Sequence, residues 1–454
     1  MHRVVTPERL AALVDDRPAD GVFAVSREVF TDPELFALEM AHVFEGTWLF
    51  LGLESQIPRP HDFVTLHMGR QPVVLSRDAD GRIRCFYNSC RHRGAMVVPW
   101  RSGNQRVHVC RYHGWTFDSG GRNVAVAQAR DGQYHAAFDR TDHDLVPIAQ
   151  LESYRGFVFG SLNPEVPTLA EHLGQARKFL DLVADQSPHG VEYLPGSMHY
   201  TFDGNWKLQL ENGLDYYHFS STHSAYMDVL QQRVQAGAAP APVSHEAPEV
   251  PEGAGSWSLG NGHAMMYAIR KQGRVHARPL AKDPGAVDEI RARVGEDDTR
   301  WMLRQRNLTI FPNLQIVDIS SQQLRTWRPL APGRTEMTSH CLAPVGEGAQ
   351  ARAMRIRNYE DFFNPAGLAS SDDHLMYEYL QSGYQAVAAG ELQGYARGLG
   401  TGVVAQDPFG AELGLSPAGW AWGPVSFGDE TCLHGPYREW MRLLRRGLKR
   451  EGHA

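Results

Sequence analysis

At 454 residues the chain is longer than one hydrophobic core usually supports, so two domains are expected. With 42% hydrophobic and 21% charged residues the composition is that of an ordinary globular protein, which excludes a disordered chain. A net charge of −7 argues against a nucleic-acid binder, which needs a basic face, and no apolar run reaches the length of a membrane span.

The opening MHRVVTPERLAALVDD mixes charged and apolar residues and lacks the apolar stretch of a signal peptide, so the cytoplasm is the expected compartment. Residues 5–15 read as a short amphipathic helix, and a second begins at Thr31-Asp32-Pro33 and runs to about Phe44. From Trp48 the pattern changes to strands at 47–53, 62–67, 72–77 and 82–87, the last two joined by the turn Asp78-Ala79-Asp80-Gly81. Further strands are expected at 107–110, 115–117 and 154–162, with a Gly120-Gly121 turn between them, which makes 46–165 an all-β module. Helical periodicity returns at 168–185, followed by a strand at 197–203. Residues 236–255 are rich in Pro, Ala, Gly and Glu and form a long loop, either a lid or a passive insertion. Strands are predicted at 263–270, 306–312, 314–319 and 322–328, then helices at 348–363 and 371–389. Gly398 to Gly402 is glycine-rich but follows no strand, so it reads as a loop and not as a nucleotide-binding fingerprint. The resulting class is α+β: an all-β module inserted near the front of a catalytic domain built on an antiparallel sheet.

Two groups of residues carry chemistry. The stretch NWKLQLENGLDYYHFSSTH offers His218 and His223, with Asp215 one helical turn before the first. Two His and one carboxylate make the facial set of non-haem Fe(II) oxygenases. On an ideal helix His218 and His223 lie about 140° apart, so they can share an ion only if the helix ends or widens between them. Ser220, Ser221 and Thr222 in that interval favour an end. On this stretch alone, a polar, aromatic helix without metal is an equal reading. Inside the β-module, Cys90-x-His92 and Cys110-x-x-His113 form a paired set that can hold a [2Fe–2S] cluster with His in place of Cys on one iron. The alternative is a Cys₂His₂ zinc site, for which a one-residue gap between two ligands of a single ion is tight. Cys85, Cys341 and Cys432 are read as buried thiols, and five cysteines are too few and odd in number for a disulfide scaffold. His108 reads as an ordinary strand residue.

With both groups in one chain, the sequence resembles the large (α) subunit of Rieske non-haem iron ring-hydroxylating oxygenases. The resemblance rests on Cys90/His92/Cys110/His113, Asn205-Trp206-Lys207, Asp215-x-x-His218-x4-His223 and FNPAGLASSDD at 363–373. It implies a Rieske [2Fe–2S] domain at 46–165, inserted in a helix-grip-like catalytic domain at 166–454 against which residues 1–45 pack. It also implies a mononuclear iron held by His218, His223 and Asp373, with Asp372 the alternative if the register slips by one. Asp215 would then be no ligand but the acid that links His218 to the cluster ligand His113 of a neighbouring subunit, which requires a ring of subunits: an α trimer, alone or with three small β subunits.

The wording FEGTW, GRQPV, HGWTFDSGG, YRGFVFGSL, GNWKLQLENG and RNYEDFFNPAG is similar to the benzoate/anthranilate-type enzymes. That likeness implies that O₂ and NADH-derived electrons, delivered by a separate flavin/iron–sulfur reductase directly or through a ferredoxin, cis-dihydroxylate a benzoate-like aromatic carboxylate. A buried carboxylate needs a cationic partner, and Arg304, Arg306 and Arg325 on the later strands are the candidates. The rival readings are a Rieske monooxygenase acting on another aromatic acid such as salicylate, an anthranilate dioxygenase giving catechol, and a pure electron carrier whose second site is degenerate.

Overall fold

A computed structural model describes residues 5–131, 134–237, 253–269, 278–386, 392–400, 407–423 and 428–450. Two compact units emerge, one of Phe44–Leu169 and one of Met1–Val43 with Ala170–Ala454.

The regular structure of the smaller unit is almost wholly short antiparallel strands, joined by long loops. Its largest sheet runs in the order Ile83–Tyr87, Gln71–Arg77, Asp62–Met68, Ser102–Asn104. The hairpin turn at Asp78 forms because the Asp78 carboxylate accepts the backbone N–H groups of Asp80 (3.0 Å) and Arg82 (2.9 Å), while Gly81 supplies the left-handed φ of +80°. A second sheet of Val107–Val109, Thr116–Asp118 and Asn123–Ala125 carries the loop after Cys110. The strand expected at 154–162 is a hairpin instead. Arg155 (φ +54°) and Gly156 (φ +85°) form a two-residue turn, and Gln150–Tyr154 pairs with Phe157–Ser161. Phe63, Val74, Phe86, Val97, Val98, Trp115 and Phe117 pack around Cys90 and Cys110 as one buried cluster.

The larger unit is organised on a nine-stranded antiparallel sheet, in which Leu314–Asp318 lies between Gln305–Ile310 and Gln322–Ala331. The 334–344 strand, which pairs with Gln322–Ala331, carries no clean alternation in sequence and is recognisable only from its partners. At the amino end the expected helix is short. It spans Pro7–Ala11, and Val14–Arg17 instead pairs as a strand with Val22–Ser26, the two joined through the turn Pro18–Asp20 and Gly21 in the left-handed region. The second helix is Pro33–Glu39, capped by the Asp32 carboxylate on the N–H groups of Glu34 (2.8 Å) and Leu35 (2.9 Å), with one π-turn to Phe44. Of the loop expected at 236–255, residues 238–252 lie outside the described residues, and 253–255 open the strand Gly253–Gly260. The 371–389 helix runs from Ser370 to Gly383, and 387–389 lie outside the described residues. Only 398–400 of the glycine-rich stretch is described, and it forms a turn.

The helix Trp206–Asn212, which leads into the His218 segment, is held from three sides. Asn205 caps it through Lys207 N–H (3.0 Å), and the buried Glu39 carboxylate accepts Trp206 Nε1 (2.9 Å) and Trp440 Nε1 (2.8 Å). Lys207 pairs with Glu39, donates to the Val29 carbonyl (2.7 Å) and lies over the rings of Phe30, Trp206 and Trp440. At the helix end, a Cβ on Gly213 would lie 2.0 Å from the amide of Gln315, on the sheet beneath, and would push that buried side chain aside. Because removing one partner of a buried ion pair strands the other charge, Lys207→Ala should destabilise the protein by about 3–5 kcal/mol. A urea titration of the variant against the parent, followed by tryptophan fluorescence, reads this as a lowered midpoint.

Two candidate metal centres

The chain order His218…His223 makes geometric sense once the helix breaks. Trp206–Asn212 ends, His218 occupies the N-cap of the four-residue turn Phe219–Thr222, and His223 is its C-cap, after which Ser224–Gln235 starts a new helix. The break turns both imidazoles toward the first turn of Ser370–Gly383, which carries Asp373. Asp373 Oδ1 lies 3.1 Å from His223 Nε2 and 3.5 Å from His218 Nε2, and the three candidate ligand atoms lie within 4.8 Å of one another. Asp372 is on the other side of the ring, 3.7 Å from His223 Nδ1, and is more exposed than Asp373.

The three groups fit a metal. Neighbouring ligand atoms around one ion, at about 2.1 Å from it, sit roughly 3 Å apart. Asp373 Oδ1 is buried yet makes no hydrogen bond, as is His223 Nδ1 on the far side of its ring. Asp215 orients the remaining ligand: its Oδ2 is 3.2 Å from His218 Nδ1, and its Oδ1 accepts Tyr217 N–H at 2.6 Å. Such a contact fixes the tautomer and leaves Nε2 directed at Asp373. Burial disfavours a charge on His218, but the hydrogen bond to Asp215 and the charges of Asp373 and Asp215 outweigh it, and its pKa lies above the ordinary imidazole value. Burial likewise works against the Asp373 anion, yet His223 and His218 hold the carboxyl below its usual range.

In the smaller unit the two Cys loops are backbone copies of each other. Gly94 N–H bonds Cys90 O (2.8 Å) and Gly114 N–H bonds Cys110 O (2.9 Å), while Cys90 N–H bonds Ala95 O and Cys110 N–H bonds Trp115 O, both at 2.8 Å. The glycines take φ of +73° and +72°, so each loop can fold back over its cysteine. Both thiols are buried side by side, and burial pushes the Cys90 thiol up. The imidazoles face each other at the rim with Nδ1 atoms 3.0 Å apart, a spacing two nitrogen ligands of one iron can share. Thiols inside and imidazoles outside match a cluster in which each pair serves a different iron; a single tetrahedral ion would draw all four together. Trp115 lies flat against His92, with centroids 5.1 Å apart and planes 6° from parallel. His108, two residues before Cys110, is buried against Phe63, and burial lowers its pKa to about 4. Cys85, Cys341 and Cys432 are buried thiols.

The sheet separates the three candidate arginines. Arg325 and Gln315 are cross-strand partners, as are Gln315 and Thr309, so all three share one face. Gln315 reaches the Leu210 carbonyl (3.2 Å) from that face, and Arg325 Nη1 donates to Asn212 Oδ1 (3.3 Å), whose Nδ2 is 3.4 Å from His218 Nε2. Arg306 is three residues from Thr309 and therefore on the opposite face, where Asp318 and the Trp301 carbonyl engage it. Arg304 is buried against Trp301 and Phe409 and bonded to Glu412 (3.4 Å). Both therefore serve packing away from the His218/His223 side. Asn212, which couples Arg325 to His218, was not singled out in sequence, although an amide at the helix end just before Asp215 was the available signal. Phe362, 5.8 Å from the His223 ring centroid, likewise becomes visible only in three dimensions.

Replacing Asp373 with Ala should lower iron from about three to about two atoms per chain with acid-labile sulfide unchanged, whereas Asp372→Ala should leave both unchanged. Iron and sulfide assays on the purified variants decide between the two acids.

Comparison with known proteins agrees with both centres. Residues 47–135 match the family model of the Rieske [2Fe-2S] domain, and residues 192–445 match that of the ring hydroxylating alpha subunit (catalytic domain). The chain is 40% identical over 443 residues to the toluate 1,2-dioxygenase subunit alpha of Pseudomonas putida, covering 97% of this chain and 95% of the relative. It is 38% identical over 455 residues to the anthranilate 1,2-dioxygenase large subunit of Acinetobacter baylyi, covering 96% and 93%. Naphthalene 1,2-dioxygenase from Rhodococcus sp., solved with bound indole, shares the fold with a TM-score of 0.77 over 93% of this chain and 94% of that one, at 26% identity. The chain belongs to the ring-hydroxylating dioxygenase α subunits, oxidoreductases that join a Rieske [2Fe–2S] domain to a catalytic domain of the mononuclear-iron type.

Proposed function

We propose that this α subunit cis-dihydroxylates a benzoate-like aromatic carboxylate, drawing electrons from NADH through a separate reductase. The observation that carries the substrate class is Arg325: a buried guanidinium, on the sheet face toward the His218/His223/Asp373 set, whose Nε has no hydrogen-bond partner. A buried cation beside the metal ligands suits an aromatic carboxylate and offers little to a neutral arene. His218, His223 and Asp373 would hold the mononuclear iron, and Cys90, His92, Cys110 and His113 the cluster. When bound, the cluster carries single electrons and the iron activates O₂. The chain's own residues do the rest. Asp215 holds the His218 tautomer, Arg325 orients the ring through its carboxylate, and Phe362 packs against His223 on the apolar side.

Asp215 also supports the intersubunit reading. Its side chain is 29% exposed while hydrogen-bonded to His218, so it can meet an imidazole presented by another protomer. His113, the partner we infer for it in a ring of α subunits, has Nδ1 turned toward His92 and hence Nε2 on the far side of its ring. Small β subunits would complete the assembly. No helix among the described residues is long and apolar enough to cross a membrane.

With a surrogate reductase, turnover of benzoate under labelled O₂ should give a cis-dihydrodiol carrying both oxygen atoms of one O₂, read by mass. One labelled atom in the product means monooxygenation, and no product from any benzoate overturns the reading. Arg325→Met should lower kcat/KM for benzoate by roughly 10–100-fold through loss of charged hydrogen bonds, with iron content unchanged. Asp215→Asn should keep about three irons per chain while product formation nearly stops, and normal product formation would remove the bridging role.

A further inference from the structure

Resting on the reading of Arg325 as carboxylate anchor, we propose that the site is built for a benzoate bearing a hydrogen-bond donor on its ring, an amino- or hydroxybenzoate, recognised by Asn307 and Gln323. Asn307, Val317 and Gln323 are successive cross-strand partners and so form one row on a single sheet face. Gln323 lies two residues from Arg325 on the same strand, so the row shares the Arg325 face. Two residues along a strand span about 6.6 Å, the scale of a benzene ring with its substituents.

Both amides end in an oxygen without a donor. Asn307 Oδ1 and Gln323 Oε1 are buried and make no hydrogen bond, in residues that are 5% and 1% exposed. The orientation of Gln323 is fixed by its surroundings. Its Nε2 donates to the Phe363 carbonyl (3.2 Å) and to Ser339 Oγ (2.7 Å), and a carbonyl can only accept, so the oxygen is the free end. Phe363 in turn packs with Val317 between the two amides, accepts Ser370 Oγ (3.2 Å) at the start of the Asp373 helix, and precedes that helix by a short turn. The acceptor row therefore borders the elements that carry Asp373 and, through Phe362, the His223 ring.

Buried acceptors of this kind are costly unless a donor meets them. An amino or hydroxyl hydrogen on the substrate ring supplies that donor, while a methyl group or halogen of similar size leaves both oxygens unsatisfied. Sites that depend on such a bond discriminate strongly against the analogue lacking it.

The test uses the iron-loaded enzyme with a surrogate reductase and three isosteric pairs, the 2-, 3- and 4-aminobenzoates against the corresponding methylbenzoates. At one ring position or more, kcat/KM for the amino compound should exceed that for its methyl partner by about tenfold or more, and dissociation constants from tryptophan fluorescence should follow the same order. In Asn307→Leu and Gln323→Met the ratio should collapse toward unity, whatever the absolute rates. Methyl partners that equal or surpass the amino compounds at all three positions in the unaltered enzyme overturn the proposal, so a variant that fails to fold cannot shield it. A ratio that persists in both variants also overturns it. Turnover of benzoates as a class separates the two levels: an enzyme that uses ring carboxylates but ignores the amino group loses only this inference, and one that turns over no benzoate, substituted or unsubstituted, loses the carboxylate reading and this inference together.

Discussion

A buried carboxylate oxygen with no hydrogen-bond donor is the constraint around which the catalytic unit is arranged. Asp373 Oδ1 sits between the Nε2 atoms of two histidines, 3.1 and 3.5 Å away, and has no full hydrogen-bond partner. An isolated buried anion is among the most expensive things a fold can hold, so such an arrangement persists where a cation completes it. The surrounding structure serves to bring two unrelated chain segments to that point. The break at 213–218 turns His218 and His223 to one side, and the first turn of Ser370–Gly383 supplies the acid.

Rigidity upstream makes this break tolerable. Trp206–Asn212 buries nearly every side chain, including a lysine, and its register is held by Glu39, which binds two indoles and an ammonium at once. Gln315 fills the space left open by Gly213 and hydrogen-bonds the helix's Leu210 carbonyl. A helix fixed at both ends lets the following irregular turn place two imidazoles reproducibly, since its start cannot rotate. The cluster loops reach a similar result by duplication. Two copies of one backbone turn, each closed by a glycine in the left-handed region, put thiols inside and imidazoles at the rim.

Strand alternation decides what surrounds the metal set. Successive side chains point to opposite faces, so one sheet carries Arg325, Gln323 and Asn307 on the face toward His218 and Arg306 and Asp318 on the other. Each arginine answers a different demand. Arg306 is neutralised by Asp318 and contributes to packing, whereas Arg325 has a neutral amide as hydrogen-bond partner and keeps its charge available.

Much of this protein was legible in its sequence because its chemistry depends on short, local spacings. Cys90-x-His92, Cys110-x-x-His113 and Asp215-x-x-His218-x4-His223 each belong to one loop or turn, and the strands of the smaller unit announce themselves through turn residues such as Asp78 and Gly81. The helix end expected between His218 and His223 falls elsewhere: Phe219–Thr222 is a helical turn, and the breaks lie before His218 and at His223 itself. Local signals misled where a short turn reversed the chain: Pro18–Gly21 folded residues 14–26 into a hairpin, and Arg155-Gly156 folded an apparent strand into another. What no local pattern could decide is which of three arginines faces the metal set and which neighbours line the space beside it. Those answers depend on the register between strands, and a shift of one residue moves every side chain to the other face. The sequence by itself named the candidate donor atoms; the pairing of Thr309, Gln315 and Arg325 across three strands determined what they look out upon.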